Sequence, residues 1–226
     1  MVLPCFQRRS LALLFIAFVP PLSASRSGLN NVPIADVSAD GTANVQGYSA
    51  FGEDRKPSFL TGLRAGFAPF GQRLEAGFDT RWKPGVAVPV FFNAKWASSW
   101  DKAWPMLGVG IANLAARAQD RDRLGQPQTY GVLSRDFGFA RLHAGYALQR
   151  RNRAMFFGLD RSWLVGGRKL TFRSDLTEIQ DAGQWLGSAG FTFKLTDALG
   201  MELWESKPSE RGKAYTTFKL GYSFKR

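Results

Sequence analysis

His143 is the one histidine of the sequence and Cys5 the one cysteine. An imidazole works as a general base when a hydroxyl nucleophile stands beside it. Here Arg141 and Gly145 flank the histidine two residues away on either side. Neither a His-x-Ser pair nor a neighbouring serine supplies the hydroxyl, and Arg141 opposes a positive charge on the ring. His143 is therefore read as a polar wall residue, and no catalytic residue is assigned. One cysteine excludes a disulfide framework or a thiolate cluster, and one histidine excludes a multi-histidine metal site. No cofactor or metal is expected, and no phosphate loop or paired-carboxylate motif stands out.

The charged residues form the stronger pattern. Arg73, Glu75, Asp79 and Arg81 alternate with Leu74, Ala76, Phe78, Thr80 and Trp82. Arg141 and His143 alternate with Leu142, Ala144 and Tyr146, while Lys169, Arg173 and Asp175 alternate with Leu170, Phe172 and Leu176. A period of two puts charges on one face of a strand and apolar groups on the other. The charged-face candidates are Arg64, Arg73, Glu75, Asp79, Arg81, Lys95, Arg135, Arg141, His143, Asp160, Lys169, Arg173, Asp175, Lys194, Glu202 and Lys219. They have two readings: a selectivity-setting pore wall, or a salt-bridged ladder filling a closed lumen. Basic members outnumber acidic ones, so an open lumen should prefer anions.

The alternation runs through about twelve strands, near 44–53, 58–68, 73–82, 87–97, 105–118, 127–136, 140–149, 153–163, 168–178, 184–195, 199–206 and 213–224. Turn signals separate several of them, at 69–72, 83–85, 136–138, 165–167 and 196–200. A soluble sandwich would bury the apolar face; a membrane barrel turns it to lipid and lines its interior with polar groups. The polar face is rich in glycine (Gly62, Gly66, Gly77, Gly145, Gly158, Gly190, Gly221), which suits a crowded inner wall. Aromatics recur near strand ends (Phe59, Trp82, Trp96, Trp163, Trp185, Tyr222, Phe224), as an interfacial girdle would. Strand lengths are near the ~9–11 residues that a tilted membrane strand needs. The expected fold is thus all-β: a closed antiparallel transmembrane barrel of about twelve strands, with ten or fourteen as alternatives. Twelve lies between the ~8 strands of a packed barrel and the ~16 of a water-filled one, so both readings of the wall stand.

Residues 1–25 have the order of a secretory signal peptide: Arg8 and Arg9, an apolar run from Leu11 to Val19, then Ser23, Ala24 and Ser25. The expected organisation is a signal peptide over 1–25, a periplasmic segment or plug over 26–43, and a barrel over 44–226. Formal net charge is +12 over 226 residues. For an exported chain this favours anionic lipid or acidic polysaccharide over nucleic acid.

The closing segment Lys219-Leu220-Gly221-Tyr222-Ser223-Phe224 resembles the last strand of bacterial outer-membrane barrels, departing from it by running on to Lys225 and Arg226. The resemblance implies that Gly221, Tyr222 and Phe224 are read by the barrel-assembly machinery. The stretch Gly28 to Gly41, with Phe157 to Asp160 and Arg173 to Leu176, resembles YjbH-like barrels linked to exopolysaccharide export. That resemblance implies a channel or accessory role in surface-polysaccharide handling and brings no catalytic residue. The expected protein is a bacterial outer-membrane barrel, a narrow channel or export-associated porin for small or anionic solutes, and not an enzyme. Alternatives are a structural or surface-interaction barrel with a plugged lumen, a rim-active hydrolase, or a secreted soluble β-protein. Expected partners are outer-membrane lipid, the assembly machinery and an anionic solute or polysaccharide.

Overall fold

A computed structural model describes residues 28–52, 55–82, 88–98, 104–120, 127–149, 153–179, 184–210 and 212–225. The expected signal peptide and residues 26–27 lie outside these. Twelve strands appear among the described residues: β1 (Thr42–Gly52), β2 (Arg55–Phe67), β3 (Arg73–Trp82), β4 (Val90–Ala97), β5 (Met106–Ala115), β6 (Gln128–Asp136), β7 (Arg141–Gln149), β8 (Arg153–Val165), β9 (Arg168–Ile179), β10 (Gln184–Lys194), β11 (Leu199–Pro208) and β12 (Tyr215–Lys225). Each pairs antiparallel with its sequence neighbours, and β12 pairs with β1 from Thr42↔Lys225 to Gly52↔Tyr215, closing the barrel. Closure leaves no strand edge unpaired, which a bilayer requires.

The strand bounds follow local chemistry. β4 starts at Val90, after Pro89, which cannot donate to the ladder. Between Phe92 and Ala94 the β4–β5 register slips. Asn113 sits there at φ 59, a conformation asparagine tolerates, and its N–H finds the Asn93 Oδ1 at 3.1 Å.

The two faces of the barrel differ as the alternation requires. Leu74, Ala76, Phe78 and Trp82 of β3 point outward, while Glu75 and Asp79 are buried inside. Phe218, Leu220, Tyr222 and Phe224 of β12 point outward, opposite Thr217 and Lys219. Phe51, Phe59, Phe67, Phe92 and Leu203 extend the outer apolar band around the wall, each about half exposed. A soluble protein would not leave so many large apolar groups bare. An apolar exterior round a polar interior is the arrangement of a membrane-spanning barrel.

Residues 28–38 lie inside the barrel, and 39–41 are exposed at its rim. A turn at the start is closed by the Leu29 N–H on the Val32 carbonyl at 2.9 Å, with a Gly28↔Pro33 bridge. The chain then crosses the lumen and leaves beside β2, where Asp40 bridges to Gly66. A Cβ on Gly66 would stand 2.2 Å from the Ser38 carbonyl oxygen and 2.3 Å from that of Ala39. Gly66→Val is therefore expected to dislodge the segment while leaving the closed barrel. Limited proteolysis should then cut within 28–41 of the variant and spare the parent.

Candidate functional site: the lumen and its inner segment

The lumen has a dry side and a wetter side. On the dry side the inner segment contributes Leu29, Val32, Ile34 and Ala35 to a buried cluster with Ala112 (β5), Tyr130 and Val132 (β6), Ala147 (β7) and Phe156 (β8). Burying a Val, Leu or Ile side chain is worth roughly 1.5–3 kcal/mol, the same scale as a hydrogen bond to a charged group. Apolar and charged contacts therefore seat the segment together, and the polar contacts also set register. Glycines let the wall come close: a Cβ on Gly108 would lie 2.9 Å from the Ala35 Cα.

The polar contacts run along the whole segment. The Asn31 N–H donates to the Asp175 Oδ2 at 2.9 Å, and its side-chain amide reaches Ser188 and, at 3.1 Å, Ser206. Lys95 donates to the Ile34 carbonyl at 3.1 Å and lies 3.8 Å from Glu75. The Ser38 N–H and hydroxyl both donate to the Glu75 Oε2, at 2.8 and 2.7 Å. Arg141 grips Asp36 with both terminal guanidinium nitrogens, Nη1 on Oδ2 and Nη2 lying 3.0 Å from Oδ1. Burial alone would push the Asp36 carboxyl up; the Arg141 guanidinium outweighs it and holds the group below its ordinary value. A depressed seated value stabilises the seated segment above the ordinary carboxylate value and is lost as pH falls through the lower one. The Asp36 contribution to seating, followed by bilayer conductance, is thus expected to weaken below about pH 4. Asp36→Asn should lack that loss; an equal loss in the variant would contradict this.

Sequence reasoning found no hydroxyl beside His143, and the structure corrects that. Ser134 of β6 lies directly across from His143 of β7, nine residues away along the chain. The Ser134 Oγ is 2.7 Å from Nδ1, and the Asp160 Oδ1 is 2.7 Å from Nε2. With Asp160 ionised and accepting, Nε2 bears the proton and Nδ1 accepts from the serine hydroxyl. The Ser134 oxygen in turn accepts the Ala35 N–H at 3.0 Å. The chain of bonds can relay a proton, but Ser134 and His143 are buried and the inner segment covers the hydroxyl. In this conformation it works as a clasp on Ala35. Ser134→Ala is expected to remove that clasp and cost about 1–3 kcal/mol by orphaning the Ala35 N–H, read as a lower midpoint for segment release in urea.

The wetter side gathers charge. Glu202 of β11 accepts from Arg173 of β9 at 3.0 Å and from Lys219 of β12 at 3.2 Å, and Arg64 of β2 lies within electrostatic reach. Side-chain exposure there is 14–20%, against 1% and 3% for Lys95 and Glu75 on the dry side. Three cations thus share one carboxylate where water enters. Arg73 and Arg81 share the inward face of β3 with Asp79, whose Oδ2 accepts from the Asn93 amide at 2.6 Å. Lys169 and Lys194 keep the inward parity but sit exposed at strand ends, at the mouth. Arg135 does not line the lumen. Ser134 takes the inward position opposite His143, so Arg135, paired with Leu142, faces out, its guanidinium 5.3 Å from the Phe137 ring centroid. An arginine one residue from a strand end can face out because its head reaches the interface.

No family model matches the sequence, and no curated protein matches it. Solved structures match in shape. A KdgM porin has a TM-score of 0.63 at 11% identity, over 80% of this chain and 99% of that one. The same porin in complex with disordered oligogalacturonate gives 0.60 at 12%, over 81% and 99%. A COG4313 outer membrane channel from Pseudomonas putida F1 gives 0.51 at 12%, over 89% and 100%. The chain has the fold of an outer-membrane β-barrel. At these identities the likeness is one of architecture, and the inner segment and the charge cluster stand on this chain's own residues.

Proposed function

We propose that the protein is an outer-membrane channel for small anionic solutes, acidic saccharides among them, and that residues 28–41 narrow or close it. The observation that carries the proposal is the Arg64, Arg173, Lys219 and Glu202 group: three cations around one carboxylate on the wetter side of the lumen. A wall of that charge attracts anions and raises the barrier to cations. The KdgM porin solved with oligogalacturonate, an oligomer of a carboxylate-bearing sugar, makes such a saccharide a sensible solute to try. The YjbH-like resemblance adds surface polysaccharide as one source of acidic saccharide. On this reading both termini of the barrel face the periplasm, and Gly221, Tyr222 and Phe224 serve assembly. The test is the reversal potential of the reconstituted protein in a KCl gradient, which should lie on the chloride side; cation preference would refute the proposal.

A second reading, a closed surface barrel, draws on the apolar cluster that seats the inner segment. It would show no current in the parent protein, with that segment seated.

A further inference from the structure

Arg135 raises a question that a channel does not answer. It sits on the outer wall and opens an unbroken cross-strand row: Arg135↔Leu142, Leu142↔Leu159, Leu159↔Ser174, Ser174↔Ala189. The next row of the same face includes Ala144 and Gly187. Small residues thus form a floor between larger neighbours, and the wall over β6–β10 is hollowed into an apolar groove of about 910 Å³ with Arg135 and Phe137 at one end. Beyond the Phe137 ring, no carboxylate pairs with the Arg135 guanidinium among the described residues.

We propose that this groove is a binding site for one phosphoglycerolipid, its phosphate on Arg135 and an acyl chain along the Ala144, Ser174 and Ala189 floor. The argument is charge complementarity and depth. Asp136 ends β6 and the turn to β7 follows, so Arg135 stands at the membrane interface on the side of both termini. A cation at that level of a lipid-facing wall is met by headgroup phosphate, while the apolar groove beyond it faces hydrocarbon. The inference rests on the outer face being the lipid face, and not on any solute passing through the lumen.

The test is native mass spectrometry of the delipidated protein released from detergent, titrated with dioleoyl phosphatidylglycerol. The parent should hold one lipid ahead of weaker, stepwise adducts. Arg135→Gln should lower occupancy of that first adduct about tenfold, the scale of one lost charge-assisted hydrogen bond. Ala144→Leu with Ala189→Leu, which fills the groove and keeps the arginine, should lower it as well. Arg117→Gln, an exposed cation past the end of β5 at the opposite rim and outside the groove, should leave it unchanged, and excess inorganic phosphate should fail to displace the lipid. Loss in only one of the two site variants, loss in neither, or displacement by phosphate alone overturns the proposal. Conductance is not the readout, so a barrel that proves closed leaves this result separately interpretable.

Discussion

Deleting residues 28–39 is expected to raise the single-channel conductance of the reconstituted protein several-fold. The segment fills the lumen between β5–β8 and the polar contacts on β9–β11, and Leu29, Val32 and Ile34 are buried there. The wall does not depend on it: twelve strands close through their own backbone ladders. Removing the segment exposes Tyr130, Val132 and Phe156 to water but breaks no strand pair. Val32→Asp reaches the same end without shortening the chain. It places a carboxylate inside the apolar cluster, where an unpaired charge costs several kcal/mol, comparable to the apolar contact that seats the segment. Both variants should conduct alike. Unchanged conductance in both would mean that 28–41 does not limit passage.

Arg173→Glu with Lys219→Glu is expected to move the channel from anion to cation preference. In the parent, three cations face one carboxylate, Glu202, for a formal charge of +2. The double variant leaves Arg64 facing three carboxylates, a formal −2. Charges a few ångströms from a passing ion act at the kcal/mol scale even in water, so a reversal of sign should cross zero rather than merely weaken the preference. Lys169→Glu at the exposed mouth is the comparison: salt screens it, and the reversal potential should shift only slightly. A double variant that stays anion-selective would place the selective constriction elsewhere.

The fold was legible because each strand sorts its residues between two media. Arg73 to Trp82 and Ala214 to Phe224 announce their faces in sequence, and the structure keeps them. Where alternation weakens, so does the reading. Tyr130, Val132, Ala147 and Phe156 put apolar groups on the inward face as well. That doubled apolarity over β6–β8 was the available sign that something apolar sits inside, and it points to Leu29, Val32 and Ile34. Arg135 was misplaced because a long basic side chain at a strand end belongs to either face; only its pairing with Leu142 decides. Ser134 was missed as the partner of His143 because the pairing is across a hairpin, set by register rather than by any motif. The grip of Arg141 on Asp36, 105 residues apart, was beyond any local pattern.

Single cysteines test the two-media arrangement most directly. With Cys5 replaced by Ser, cysteines are introduced at Phe78 and Leu220 on the outer face and at Ser162 and Ser223 on the inner face, in liposomes. Inner positions should react with a water-soluble maleimide, and outer ones should resist it yet be quenched by a lipid-borne probe once labelled. Rapid aqueous labelling of Phe78→Cys and Leu220→Cys, with no lipid quenching, would contradict the bilayer assignment itself.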